Sequence, residues 1–415
     1  MFYYLVETLF YLGLVYFLVT TTFAQWVKYK RAEFVKNIPW IMLEIRLPRE
    51  INKSPAAMEA ILEAFHQGGG LLTWWDKYRK GNMLSWFSLE IASFGGDIRF
   101  YIRTNKRFKN IIESYMYAQY PGIEILEVED YTNRIRYDGG DYNMFGTNFV
   151  LSKDDYLPIR TYMDYGLDKD PKEEFKIDPI TPMLEYMGSL KGNEELWYQV
   201  LIRTDKFKGE WKGDAKAAVQ KIMKGEGEAV EGAINLGEFK LTQVQKDMIK
   251  AIEKSTLKKG FEVLMRAVYL APKDDYDGSR IGGMMAMLKP FEAAHLNGFM
   301  PADDTSFVFP WQDRKDGSKL LKKKTYMFKK YVLRTFGEYY DVMDGFSFAY
   351  EINHRVDYFL RHGLNFKKWK YSKSSFVLNM EELATLYHFP GKVAGTPTFK
   401  RISSTKSEAP SNLPI

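Results

Sequence analysis

Residues Phe2 to Ala24, FYYLVETLFYLGLVYFLVTTTFA, form one apolar block of twenty-three residues in which Glu7 is the only charge. As a helix rising ~1.5 Å per residue the block would reach roughly 34 Å, against a bilayer core of about 30 Å. A single transmembrane helix is therefore expected. Aromatic residues crowd both ends, as the membrane interface favours. Trp26, Lys28, Lys30 and Arg31 follow in WVKYKR, and no Lys or Arg precedes the block. The positive-inside rule then puts the N-terminus outside and the bulk of the chain in the cytoplasm, in a single-pass protein of the inner (cytoplasmic) cell membrane. The rival reading is a signal peptide cleaved after Thr22-Phe23-Ala24. It lacks the positive n-region and has a basic cluster just after the site. Glu7 lies near the end of the block, where it reaches headgroups or water.

The remaining residues alternate between strand and helix periodicity. WIMLEIRL puts Ile41, Leu43, Ile45 and Leu47 on one face, with Glu44 and Arg46 on the other, which predicts a strand. SPAAMEAILEAFHQGGG predicts a helix capped by Ser54, begun by Pro55 and ended at Gly68, with Met58, Ile61, Leu62 and Phe65 as its apolar stripe. SWFSLEIA and IRFYIR predict a hairpin turned by FGGD. KRFKNIIESYMYAQYPG predicts a second helix with Phe108, Ile111, Ile112 and Tyr115 on one face, and IEILEVE closes the unit as a strand. Strand, helix, strand, strand, helix, strand is the split βαβ, ferredoxin-like order.

The expected fold class is thus α+β: an N-terminal transmembrane helix followed by one or more ferredoxin-like domains. The expected boundaries are 1–31 for the span and its basic stop, 38–130 for the first domain, and 131–193 for a polar connector. A second, decorated domain covers 194–375, and a helix with a C-terminal tail covers 376–415. In the second domain ELWYQVLIRT and FEVLMRAVYL read as strands. LTQVQKDMIKAIEKSTLKKG reads as a helix with a Thr242–Gln245 capping box. MKGEGEAVEGAINLGE reads as an exposed loop, and SFVFP and FSFAYEI as further strand candidates.

Composition removes several chemistries. With no cysteine the chain has no thiolate metal site, iron–sulfur cluster, disulfide or Cys nucleophile. No two of its five histidines have i,i+4 spacing, so no helical metal pair is visible. There is no Walker A motif and no Gly-x-Ser-x-Gly elbow. Asp274-Asp275 and Asp303-Asp304 read as solvated loop charges, and His66 as a complement to a helix C-terminus. No catalytic constellation remains, so no cofactor and no enzymatic activity are expected.

The net charge of +6 is concentrated in two places. DRKDGSKLLKKKTYMFKKYVLRTF brings Lys322, Lys323, Lys324, Lys329, Lys330 and Arg334 together with Tyr326, Phe328 and Tyr331. Lys367, Lys368 and Lys370 surround Trp369. These cations are candidate contacts for nucleic-acid phosphates or anionic lipid; a solvated helical face is the plain alternative.

Three runs carry a resemblance: IPWIMLEIRLPREINKSPAAMEAILEAF, DPITPMLEYMGSLKGNEELWYQVLIR and NMEELATLYHFPGKVAGTPTFKRI. Together they resemble the membrane-anchored N-terminal region of type IV secretion or conjugation-type ATPases, the HerA/FtsK-like class, as found in candidate-phyla bacteria. In those proteins the last run leads into a motor domain with Walker motifs, which this sequence lacks. The resemblance implies a non-enzymatic, membrane-anchored scaffold that docks a separate ATPase at the cytoplasmic face. The alternative is a nucleic-acid-binding module guiding DNA to a motor through the 314–373 basic region. The expected partners are the lipid bilayer and a separate ATPase or other secretion-system subunits, with DNA and further copies of the chain as additional candidates.

Overall fold

The computed structural model describes residues 2–48, 51, 53–66, 72–168, 177–204, 209–224, 241–306, 318–336 and 375–391. In chain order the elements are α1 (Phe2–Lys36), β1 (Trp40–Arg46), α2 (Ala56–Phe65), α3 (Trp74–Tyr78), β2 (Trp86–Phe94), β3 (Asp97–Asn105), α4 (Lys109–Gln119) and β4 (Glu124–Val128). There follow β5 (Tyr142–Leu151), α5 (Thr181–Gly188), β6 (Glu195–Thr204), α6 (Glu210–Met223), α7 (Gln243–Leu257) and β7 (Gly260–Pro272). Then come α8 (Arg280–Ala286), β8 (Phe299–Ala302), α9 (Ser318–Leu333), β9 (Phe376–Asn379) and α10 (Met380–Leu386). The chain divides into two compact units, one of Met1–Pro39, Gly69–Ser85 and Leu333–Lys373, the other of Trp40–Gly68, Trp86–Val332 and Ser374–Ile415.

The larger unit is built on one antiparallel sheet of nine strands in the order β4-β1-β3-β2-β6-β7-β5-β8, with β9 also paired to β7. Alternating side chains go to opposite faces of a strand. On one face Leu43, Phe87, Leu89, Phe100, Val200 and Met265 share a core with the stripes of α2 and α4 and with Met183, Met187, Leu383 and Tyr387. On the other, Met42, Tyr101, Trp197, Val268 and Leu270 meet Met327, Phe328 and Tyr331 of α9, and Tyr131, Ile135 and Tyr137. Strands covered on both faces read as near-continuous apolar runs, which is why β6 and β7 are so rich in apolar residues.

The expectation of ferredoxin-like domains is corrected. Their outer strand would be β2, but β2 pairs with β6 along its whole length, from Trp86↔Arg203 to Phe94↔Glu195. A strand edge that long is a template for another strand, and here the second half of the chain supplies it, so one sheet continues through both halves. Within 131–193 the polar composition conceals β5, a ten-residue strand between β7 and β8. The turn between β2 and β3 does fall at Gly95-Gly96, with φ of +58° and +91°, a conformation that favours glycine. Thr242 and Gln245 form the expected capping box on α7.

The transmembrane expectation is corrected as well, and with it the single-pass placement in the inner membrane with an outside N-terminus. Among the described residues no helix is long and apolar enough to cross a membrane. The block carries Glu7, Thr8 and Thr22, and α1 does not end after it but runs on without a break to Lys36. Trp26, Lys28, Lys30 and Arg31 are therefore inside the helix rather than beyond a span. In this smaller unit Lys30 Nζ lies 5.2 Å from the Trp26 ring centroid and pairs with Glu33 at 2.7 Å. The Phe23 and Tyr78 rings approach to 5.7 Å. Gly81, at φ +71°, passes so close to α1 that a Cβ there would lie 2.4 Å from the Lys30 carbonyl oxygen.

A Leu89→Ala change should lower the unfolding free energy by about 2–5 kcal/mol in urea denaturation, as for other buried leucines. Because the sheet is continuous, amides of both β3 and β7 should exchange faster in that variant. Faster exchange confined to residues 40–130 would restore the self-contained domain.

Candidate functional site

Two polar constellations are buried in the larger unit, one on each face of the sheet. The first is a row at a single register level. Asn148 of β5 is opposite Arg266 of β7, Arg266 opposite Gln199 of β6, and Gln199 opposite Glu90 of β2. Directly opposite residues project to the same face, and all four are at most 1% exposed. Arg266 Nε donates to Asn148 Oδ1 at 3.1 Å, and Gln199 Nε2 donates to Glu90 Oε1 at 3.1 Å. The row also grips α9. Arg266 Nη1 donates to the Lys330 carbonyl at 2.7 Å and Gln199 Nε2 to the Tyr331 carbonyl at 3.2 Å. These carbonyls belong to the last turn of α9, where the helix dipole favours a cation. Tyr131 donates to Glu90 Oε2 at 2.7 Å and its hydroxyl is 2.7 Å from that of Tyr331. On the same strands Arg203 holds Glu262 through two bonds of 2.8 and 2.9 Å, and Ser375 Oγ donates to Glu262 at 2.9 Å.

The second constellation surrounds α10. Asn379 caps this helix and Glu382 answers with its carboxyl, a reciprocal capping box. Glu382 also accepts from the Ile159 amide at 2.9 Å. Burial pushes the Glu382 carboxyl up to about 8, against the two backbone amides that favour its charge and with Glu381 and Asp155 adding repulsion. Glu381 takes Thr161 Oγ1 at 2.7 Å and Lys254 Nζ at 2.8 Å. Asn379 Nδ2 donates to Ser255 Oγ at 2.9 Å, and the Tyr162 amide to Thr385 Oγ1 at 3.0 Å.

Just beyond α10, His388 has one ring nitrogen 2.9 Å from the Ala384 carbonyl and the other 2.9 and 3.1 Å from the Asp178 oxygens. Both ring nitrogens of His388 are thus occupied, one by a backbone carbonyl and one by a carboxyl group. Burial raises the Asp178 carboxyl, but the His388 charge and hydrogen bond and the Ile180 amide outweigh it and hold Asp178 below the usual carboxylate range. The Tyr120 ring stacks edge-on to Phe389 with centroids 5.0 Å apart, and burial beside Asp178 pushes its phenol upward. With both nitrogens of His388 committed and the ring 1% exposed, this pair is built to hold the run rather than to pass protons to a substrate. Among the described residues no group of three or more His, Asp or Glu is placed to hold a metal ion.

The basic residues read from the sequence are divided. Lys322 is exposed on α9, while Lys323 is 4.0 Å from Asp304. Lys324 is part-buried, donates to Asn143 Oδ1 at 2.6 Å, and is held below the usual lysine range by burial. Lys330 Nζ lies 4.2 Å from the Tyr326 ring centroid, Lys329 is half-buried, and Arg334 is fully buried with φ +52°. Lys367, Lys368 and Lys370 lie outside the described residues, as do His354, His362 and the strand candidate FSFAYEI. Sequence reasoning missed Glu90, Gln199, Arg266 and the Asp178–His388 pair. A usable signal existed for the first three: each is a polar residue near the middle of a mostly apolar strand run, WFSLEIASF, ELWYQVLIRT or FEVLMRAVYL. Asp178 and His388 are 210 positions apart and only the fold unites them.

Residues 24–401 match the model of a family described as a domain of unknown function (DUF8128). No curated protein matches the chain. Nothing in the family match ties the chain to the secretion and conjugation ATPases expected from its sequence.

Two tests probe the buried groups. Arg203→Met leaves Glu262 buried without its guanidinium and should cost about 3–5 kcal/mol in urea denaturation, whereas Arg203→Met with Glu262→Leu should recover most of it. The pH profile tests Glu382 and Asp178. Burial pushes the Glu382 carboxyl from its ordinary 4.5 in the unfolded chain up to about 8 in the folded one, so the folded state keeps a proton that the unfolded state loses. Stability from this group therefore falls as pH rises from 4.5 to about 8. Asp178 acts oppositely: its contribution is complete above 3.8 and is lost as pH falls through its depressed folded value. Thermal melts of Glu382→Gln should flatten the decline toward pH 8. An unchanged slope would place Glu382 in its charged form throughout.

Proposed function

The chain belongs to the DUF8128 family, and from its geometry we propose that it is a non-enzymatic scaffold subunit on which a separate ATPase docks. One observation carries the reading. The run that leads into a motor in the proteins this chain resembles is here clamped to the sheet. β9 pairs with β7, every residue of α10 is buried, and the Glu381, Glu382 and His388 contacts tie the run to residues 159–161, to α7 and to the segment before α5. Work done by a motor on this run would be delivered to the sheet rather than dissipated in a hinge. The buried polar groups on both faces are engaged in joining layers, which suits a body that bears load.

The test uses the full chain, co-expressed with a Walker-motif ATPase encoded beside its gene. The two should elute as one complex, and ATP hydrolysis should be lost when the ATPase, not this chain, carries a Walker lysine substitution. His388→Leu should weaken the complex while circular dichroism stays unchanged. Hydrolysis by this chain alone, or separate elution of the two proteins, would overturn the scaffold reading.

A further inference from the structure

In the smaller unit a file of aromatic rings runs across the contact of α3 with α1. The ring centroids of Trp75 and Trp74 are 6.3 Å apart, those of Trp74 and Tyr78 5.4 Å, and those of Tyr78 and Phe23 5.7 Å. On α1 the file continues from Phe23 to its i+3 neighbour Trp26, whose ring lies 6.4 Å from that of Tyr29. Rings this large are mostly buried in folded chains. Here Trp74 is 65% exposed, Tyr29 54% and Trp75 49%, and Phe23 and Trp26 are exposed with them. The local sequence holds the tryptophans in place. Thr73 caps α3 by accepting from the Asp76 amide at 3.2 Å, which sets both on the first turn of the helix.

Cations are interleaved with the rings. Arg79 lies 4.3 Å from the Trp75 ring centroid, Lys77 5.0 Å from that of Tyr78, and Lys30 5.2 and 5.8 Å from those of Trp26 and Tyr29. Residues 23–36 and 73–80 together carry seven Lys or Arg against two acids. Both acids are engaged, Asp76 by Thr73 and Lys80, and Glu33 by Lys30. The surface thus selects a polyanion that also has flat apolar faces. A bilayer rewards an apolar centre that inserts beneath a separate charged face; here Arg79, Lys77 and Lys30 lie over the rings themselves. An acidic peptide would meet the charges and leave the rings bare. Unstacked bases on a phosphate backbone meet both. We propose that the aromatic file of α3 and α1, from Trp75 to Tyr29, is a stacking platform for single-stranded nucleic acid. The site uses none of the α9 lysines and is independent of ATPase docking.

The test titrates the full chain into fluorescein-labelled oligothymidylate and follows anisotropy. Binding should saturate and weaken as salt rises. An abasic strand of equal length keeps the phosphates and loses the bases, and should bind about tenfold more weakly, as should a duplex whose bases are already stacked. Trp74→Ala with Trp75→Ala removes exposed rings only, and circular dichroism should be unchanged. That variant should bind oligothymidylate about tenfold more weakly or worse and the abasic strand nearly as before. Lys77→Glu should weaken both strands and flatten the salt dependence. Equal affinity of wild-type chain for the two strands would reduce the surface to a phosphate contact and overturn the platform. Unchanged oligothymidylate affinity in the double tryptophan variant would do the same. So would a chain that ignores oligothymidylate, including one that sediments with phosphatidylcholine–phosphatidylglycerol vesicles.

Discussion

The larger unit depends on how many partners β7 holds at once. Along one edge it pairs with β6 from Phe261↔Thr204 to Leu270↔Glu195. Its other edge is shared: β9 takes residues 260–263 and β5 takes 265–272. Segments distant in sequence therefore meet on one thirteen-residue strand, and all but its last residue is buried. Glu262 and Arg266 are the two charges in that strand, and each has a partner at a fixed register position: Arg203 opposite Glu262, and Asn148 and Gln199 opposite Arg266. Slipping by one residue would turn both charges into the wrong face. The buried charges thus specify register in a strand whose apolar residues alone would define it poorly.

The two faces of the sheet use the same principle on different elements. On one, the Arg266 guanidinium and the Gln199 amide from the strands cap the C-terminal carbonyls of α9; on the other, carboxylates from α10 accept hydrogen bonds from a loop and from α7. A helix end buried without such partners would carry unsatisfied backbone groups. The Asp178–His388 pair adds a long-range closure, joining the segment before α5 to the residue just past α10.

Local structure was legible where a single period governed it. The stripe Met58, Ile61, Leu62 and Phe65 identified α2, and the alternation in WIMLEIRL identified β1, because in each a continuous apolar set recurs at the element's own period. Strand β5 escaped because YNMFGTNFVL mixes Gly146, Thr147 and Asn148 into its run, and Asn148 makes sense only beside Arg266. Whether β1, α2, β2, β3, α4 and β4 form a closed domain could not be read locally, because the answer lies in β6, about a hundred residues after β2 in the sequence. The basic stretch misled in a different way. Lysine counts in LKKKTYMFKKYVL gave no sign that Met327, Phe328 and Tyr331 turn into the core, or that Lys324 goes part-buried with them. The terminal run resembled a connector because helix, Pro and Gly follow one another, yet its capping Asn379 also seats it against Ser255.

The clamped terminal run is the feature on which the proposed scaffold reading rests. Amide hydrogen exchange of the full chain reads it directly. If the run belongs to the core, amides of residues 376–387 exchange as slowly as those of β7 and share the same dependence on denaturant, because they are released only by opening the sheet. Exchange within seconds at those amides, while β7 stays protected, would make the run a loosely attached connector and contradict the account.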